Sequence, residues 1–300
     1  MYRVVAGFVT VLLLGGAARA IDITACGQTV PDDETGLLQG DLDCNGGPRR
    51  CFLNGSPCSV DADCPSPSYG SCSQRAVVLG WLARLDLNGH VLVAEGDRAA
   101  AINGDPVGTA VMCLREESLL GECTVRGPGQ ISGGRFAVLA SRLDIADVDV
   151  HDTIQGITAS ERMTATNVTA NNNYFNGVFT YRLRASNLTA SNNTVDGVVA
   201  GKRFVGTNII VRNNGFSGLV ATRFRISALV AEDNGSSGVY SLGTGVLYDS
   251  VLSGNLYEGA GLDLLTHGRP RLIRSTCGFS ARFADDSNEP GAPWGVCSGD

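Results

Sequence analysis

The chain has 300 residues, 43% hydrophobic and 18% charged, with 39 glycines and a formal net charge of −7. This composition lies in the globular range and excludes collagen-like, disordered and coiled-coil chains. The acidic balance argues against a general nucleic-acid binder.

At the N-terminus, Arg3 precedes an apolar run from Val4 to Leu14 that ends in Ala18-Arg19-Ala20. That is the layout of a secretory signal peptide, so residues 1–20 are set apart from the fold. The run is too short to span a bilayer and no other segment approaches 18 apolar residues, so no transmembrane segment is expected. Cleavage near Ala20 removes Arg3 and Arg19, leaving a mature chain of net charge −9 that is expected to be extracellular or periplasmic.

Ten cysteines follow: Cys26, Cys44, Cys51, Cys58, Cys64, Cys72, Cys113, Cys123, Cys277 and Cys297. An even count in an exported chain points to disulfides. The spacing predicts short loops closed by Cys26 with Cys44, Cys113 with Cys123 and Cys277 with Cys297. Cys51 to Cys72 form a separate two-bridge knot whose connectivity the sequence leaves open. No C-x-x-C pair with a nearby histidine is present, so no metal site is expected from them. Asp61-Ala62-Asp63 and Asp285-Asp286 are the weak candidates for Ca²⁺, and both fall short of the six oxygen ligands that ion needs.

Beyond residue 140 the chain repeats. Asp152, Asn173, Asn193, Asn214, Asn234 and Asn255 each stand four residues before Gly156, Gly177, Gly197, Gly218, Gly238 and Gly259, or one position off that count in no case. The glycines are 20 or 21 residues apart. Apolar residues follow them (Ile157, Val178, Val198, Leu219, Val239, Ala260), and further apolar columns stand nine residues before (Val168, Leu188, Ile209, Leu229) and seven before (Ala170, Ala190, Val211, Ala231, Leu252). Within each unit apolar and polar residues alternate with the strand period of two. One unit cannot bury its own apolar face, whereas stacked units bury a continuous core at the inter-strand spacing of about 4.8 Å. The glycine column predicts a corner with positive φ or close backbone approach. The Asn column fits turns and stacked amides. A leucine-rich repeat has a similar period but needs an L-x-x-L-x-L frame that these units lack.

The run Leu85-Asp86-Leu87-Asn88-Gly89-His90, after Asp41-Leu42-Asp43-Cys44, resembles the first coils of secreted bacterial right-handed parallel β-helix proteins of the pectin-lyase-like superfamily, and the repeats from 142 to 262 resemble the later coils. The fold expected is therefore all-β: a right-handed parallel β-helix, or β-solenoid, of about 20–21 residues per coil with disulfide-tied end caps. The division expected is a leader at 1–20, an N-terminal cap and first coil at 21–50, a cysteine-rich insertion at 51–75, the β-helix at 76–267 and a C-terminal cap at 268–300.

The superfamily includes lyases, hydrolases, epimerases and binding proteins, so function must come from the site. The N-T-D, D-D and G-H-G elements of polygalacturonase-type hydrolases and the W-x-D-H element of pectate lyases are absent. What recurs is arginine: Arg142, Arg162, Arg182, Arg203 and Arg223, 20 or 21 residues apart, thickened by Arg184, Arg225 and Lys202. Like charges stacked about 5 Å apart repel by roughly 1 kcal/mol per pair in water, so such a column calls for acidic partners or an anionic ligand. Arginine's planar fork suits carboxylates and sulfates. One reading makes Arg162, Arg182, Arg184, Lys202, Arg203, Arg223 and Arg225 a ridge that binds acidic polysaccharide or surface glycan. The other has these arginines bridging turn carbonyls and acids of adjacent columns such as Asp196, Asp249 and Glu258. His151 beside Asp152 is a candidate base, although neighbours on a strand point to opposite faces. His90 and His267 do not recur in register.

The expectation is a non-catalytic binding solenoid without a cofactor. The alternative is a polysaccharide lyase or other carbohydrate-active enzyme of the pectin-lyase-like superfamily, a lyase being favoured over a glycoside hydrolase, with Lys202, Arg203 and His151 as the catalytic candidates. The sequons at Asn54, Asn167, Asn187, Asn192 and Asn234 are read as turn chemistry.

Overall fold

The computed structural model describes residues 20–51, 58, 72–96, 108–116, 119–257, 260–284 and 290–300. The leader, Cys64, the side chain of Cys51, Asn54, Asp61, Asp63, Glu258, Gly259, Asp285 and Asp286 lie outside the described residues. The architecture is a parallel β-helix with three strand ladders, called here A, B and C. Ladder A stacks 157–159, 178–180, 198–200, 219–221 and 239–241. Ladder B stacks 142–146 on 162–166, then 182–186, 203–207 and 224–227. Ladder C carries Val168, Leu188, Ile209 and Leu229 in register.

Ala260 apart, the apolar columns read from the sequence point inward. Ile157, Val178, Val198, Leu219 and Val239 are fully buried in ladder A, and Met163, Leu183, Phe204 and Phe224 fill ladder B. Val168, Leu188, Ile209 and Leu229, with Ala170, Ala190, Val211 and Ala231, close ladder C. Burial of such side chains at about 25 cal/mol per Å² of apolar surface is the main driving term.

The units are not several separate strands joined by turns. Gln155–Asn171, Val178–Ser191 and Val198–Arg212 are continuous strands that run through ladders A, B and C. Each bends at one left-handed residue: Asn167, Asn187 and Asn208, with φ of 52°, 53° and 54°. A single αL residue re-aims the backbone without ending the ladder, and Asn tolerates that conformation better than most side chains.

The glycine column works by close approach. Gly177, Gly197 and Gly218 are absent from the positive-φ residues, yet a Cβ on Gly197 would stand 2.7 Å from the Gly218 carbonyl oxygen and 2.8 Å from Asn214 Nδ2. Positive φ belongs instead to the residue before each ladder Asn: Asn172, Asn192, Asn213 and Asp233. The next residues, Asn173, Asn193, Asn214, Asn234 and Asn255, are buried and stacked. Each Nδ2 donates to the Oδ1 of the next, at 2.9, 3.0, 2.9 and 2.7 Å.

Both ends of this ladder differ from the sequence reading. Asp152 belongs to the left-handed column (φ 54°), and Thr153 is the residue that meets Asn173, its Oγ1 donating to Oδ1 at 2.6 Å. The turn before Gly156 is one residue shorter than in later coils. At the other end Ala260 does not follow Val239, which pairs with Leu264. Leu256–Tyr257 and Ala260–Gly261 pair as an antiparallel excursion, and the buried Asp263 takes the glycine position. Its Oδ1 accepts Asn255 Nδ2 at 2.7 Å and ends the amide stack on a carboxylate.

Parallel pairing extends beyond 76–267. Gln28–Val30 pairs with 77–79 and Thr35–Leu38 with Arg84–Asp86, so the N-terminal segment is itself a coil. After 267, Arg271–Ile273, Thr276–Cys277 and Ser280–Phe283 add another coil before Pro290–Pro293 turns back antiparallel. Disulfides join Cys26 with Cys44, Cys113 with Cys123 and Cys277 with Cys297 as the spacing predicted, and Cys58 with Cys72. Such bridges fit an oxidising compartment. Among the described residues no helix is long and apolar enough to cross a membrane.

Candidate functional site

The arginine column forms where ladder A turns into ladder B. Arg142 pairs with Arg162 and Arg182 with Arg203, and the Phe204 amide donates to the Arg223 carbonyl, which places Arg223 next in line. Arg162, Arg182, Arg203 and Arg223 are exposed, because the flanking Met163, Leu183, Phe204 and Phe224 point inward. Two residues further along ladder B, Arg184 and Arg225 flank Val205 in the outward row. Both are exposed.

Corner length alternates along the rod. Tyr181 alone separates Thr180 from Arg182, whereas Gly201 and Lys202 together occupy the same step in the next coil. Ser160 and Glu161 make the corresponding longer corner two coils earlier, opposite Ser141. These extra residues carry opposite charges. Glu161 accepts from Arg142 Nε at 2.8 Å, and Glu122 lies 3.6 Å from the same guanidinium. That hydrogen bond and the Arg142 charge, with a smaller pull from Arg182, hold the Glu161 carboxyl below the usual carboxylate range. Arg142 is therefore neutralised at the N-terminal end of the column.

From Arg162 onward the picture changes. Among the described residues, no carboxylate lies within 4.0 Å of Arg162, Arg182, Arg184, Lys202, Arg203, Arg223 or Arg225. The acids that could have paired with them are engaged elsewhere. Asp144 accepts a fork from Arg126, and Asp249 accepts one from Arg274. Asp196 accepts the backbone N–H of Ser217 at 2.9 Å. The reading in which Asp196 and Asp249 bridge these arginines is thereby corrected; a cation on the A–B corner is turned away from acids on the other two corners.

Rings join the cations here. Tyr181, 47% exposed, lies between the Arg182 guanidinium at 5.7 Å and the Lys202 ammonium at 5.6 Å from its centroid. Cations at such distances gain from the ring quadrupole. Around the corner an open groove of about 310 Å³ is lined by Arg184, Arg203, Thr164, Thr166, Ser186 and Thr207. Its hydroxyls form a row, with Ser186 Oγ donating to Thr166 Oγ1 at 3.4 Å. The arrangement offers fixed positive charge, hydroxyl donors and an aromatic edge on a rigid parallel sheet. Spacing alone identified the arginines and Lys202 but did not bring Tyr181 or the Thr/Ser row to them, although the outward position of each is readable once the register is known.

His151 stands apart, at the end of ladder C. Its Nδ1 is 2.8 Å from Asp152 Oδ2, contrary to the expectation that adjacent side chains diverge. The left-handed conformation of Asp152 swings its carboxylate back to the imidazole. The pair lies on a different corner from Lys202 and Arg203, so these three residues do not form one site. His90 Nδ1 lies 3.4 Å from Asp41 Oδ1 in the first coils. Among the described residues no group of three or more His, Cys, Asp or Glu side chains could hold a metal ion.

No protein-family model matches the chain, and no curated protein matches it. Among solved structures it is similar to the A-module of a mannuronan C-5 epimerase from Azotobacter vinelandii, at 16% identity and a TM-score of 0.44, covering 87% of this chain and 81% of that one. A pectate lyase is similar at 12% identity and 0.38, covering 86% and 72%. The enzymatically active domain of a bacteriophage CBA120 tailspike protein is similar at 9% and 0.38, covering 85% of this chain and 43% of that one. Likeness at this level carries no statement about activity, and the fold described above rests on the strand register itself.

Proposed function

We propose that this protein is an exported, non-catalytic β-helix that holds an acidic polysaccharide or surface glycan at the A–B corner. The observation that carries the reading is the set of seven exposed cations, Arg162 to Arg225, with no carboxylate within ion-pair distance among the described residues. Parallel stacking sets the backbones of Arg162, Arg182, Arg203 and Arg223 about one strand spacing, roughly 4.8 Å, apart in successive coils, with Arg184 and Arg225 two spacings apart on either side of Val205. An anionic polymer relieves their mutual repulsion, and arginine can meet each carboxylate or sulfate with two parallel N–H donors. Export is supported by the leader-like residues 1–20 and by the disulfides. Binding without cleavage is supported by the make-up of the corner: the nearest acid, Glu161, is tied to Arg142, and His151 lies on another edge.

The test is retention of the protein on immobilised acidic polysaccharide, with salt elution, beside the triple variant Arg182→Gln, Arg203→Gln, Arg223→Gln. Wild type should be retained and released by salt, and the variant should pass through with its β-sheet circular dichroism intact. Equal retention of both removes the corner from the function. In parallel, absorbance of unsaturated uronate product is followed; a rise makes the protein a lyase and directs mutagenesis to Lys202 and Arg203.

A further inference from the structure

Aromatic residues on the described coils are concentrated in one of them. The stretch 174–184 reads Tyr174, Phe175, three residues without a ring, Phe179, Thr180, Tyr181, Arg182, Leu183, Arg184. Thr180 and Leu183 are buried while Phe175, Phe179 and Tyr181 are 46%, 42% and 47% exposed. Phe179 at the end of ladder A and Tyr181 at the A–B corner are both exposed, on either side of the buried Thr180. Along the rod axis the row does not continue as aromatic: the register partners of Phe179 are Thr158 on one side and Val199 on the other, and Gly201 with Lys202 faces Tyr181. The rings therefore run along the strand, across the rod, whereas the cations run along the axis. The two rows cross at Tyr181 and Arg182.

We infer that the ligand lies across the rod, a neutral sugar stacked over Phe179 and Tyr181 and an adjoining acidic sugar held by Arg182, Lys202 and Arg203. It is therefore a mixed glycan in which uncharged and anionic residues adjoin, rather than a homopolymer of uronates. The inference rests on the reading that this corner binds an acidic glycan. The apolar face of a pyranose covers an aromatic ring well, and Phe179 and Val199 offer it no hydrogen-bonding group. A carboxylate placed over Phe179 would lose water and gain no partner, which is unfavourable. At Tyr181 the environment reverses, since Arg182 and Lys202 flank the ring and the groove beyond supplies Arg184 and the hydroxyls of Ser186 and Thr207.

Two probes of equal charge separate the possibilities: a hyaluronan hexasaccharide, in which uronate alternates with N-acetylated hexosamine, and trigalacturonate. Calorimetric titration of the full chain should give at least about fivefold tighter binding of the hexasaccharide. Phe179→Ala and Tyr181→Ala should abolish that preference, Arg203→Gln should weaken both probes, and truncation of the exposed but distant Phe279 should alter neither. Equal affinities, or a preference that survives Phe179→Ala, overturn the transverse mixed-glycan site while leaving the acidic-glycan reading intact, provided Arg203→Gln still weakens binding. If neither probe binds and Arg203→Gln changes nothing, both readings fall together.

Discussion

Asp196 is the residue most out of place by ordinary rules. It sits in the turn before Gly197 with one backbone N–H donor, from Ser217, and burial pushes its carboxyl up to about 6. An unfolded aspartate titrates near 3.9. Because the folded value is the higher one, the stability associated with this group is fully present below about pH 4 and is lost as pH rises through about 6. Asp196→Asn keeps an acceptor for Ser217, so it should stabilise the protein by about 1–3 kcal/mol at pH 7.5 and by almost nothing at pH 3.5. Urea unfolding at the two pH values checks this, and an equal effect at both would show that charge is not the cause. Gly197 gives the opposite case. Gly197→Ala places a Cβ against the Gly218 carbonyl and Asn214 and should cost about 1–3 kcal/mol, read as a lower urea midpoint. Of these two, the glycine was legible as a corner from its spacing; its φ was not, since spacing does not distinguish a left-handed turn from a close approach.

At the scale of the element, the buried amide ladder ties neighbouring coils through side chains as well as backbone. Asn214 takes part in both directions: its Oδ1 accepts from Asn193, and its Nδ2 donates to Asn234 Oδ1 and to the Ala190 carbonyl. Replacing it by Ala strands buried partners on both sides, so a loss of about 2–4 kcal/mol is expected in chemical denaturation. The conservative Asn214→Asp, although nearly isosteric, should also destabilise at neutral pH, because a carboxylate cannot donate to Asn234 or Ala190. Equal stability of Asn214→Ala and wild type would mean that the stack adds nothing beyond the strand ladders. The ladder was visible in the sequence as an Asn column, except at its ends. Asp152 matches the column in type but not in position, because a one-residue deletion in a turn shifts register without altering the residue classes around it.

For the whole molecule, an open solenoid exposes unpaired edges at its two ends, and terminal coils are the first to fray. Disulfides stand at both: Cys26–Cys44 in the first coil and Cys277–Cys297 in the last. Removing the second pair by Cys277→Ser with Cys297→Ser should lower thermal stability by an amount corresponding to about 2–4 kcal/mol. Hydrogen exchange should accelerate in 264–283 while the amides of 157–212 remain protected. Uniform acceleration along the chain would indicate that the coils unfold as one unit and that the bridges do not act locally.

Periodicity by itself determined the solenoid, its coil length and the residues that fill it, because a stack of like units obliges inward positions to recur at the coil spacing. Cysteine spacing determined three of the loops. The tertiary structure alone decided what the arginines face. In sequence, Arg142 and Arg203 belong to one column; in space Glu161 and Glu122 neutralise the first, while Lys202, inserted at the equivalent corner, adds charge beside the second. It also decided that Tyr181 meets these cations and that His151 does not. The physical reason is that repetition fixes which residues stack, whereas the partner of an exposed side chain depends on the bend of each corner and on the coil beside it, which one inserted residue is enough to change.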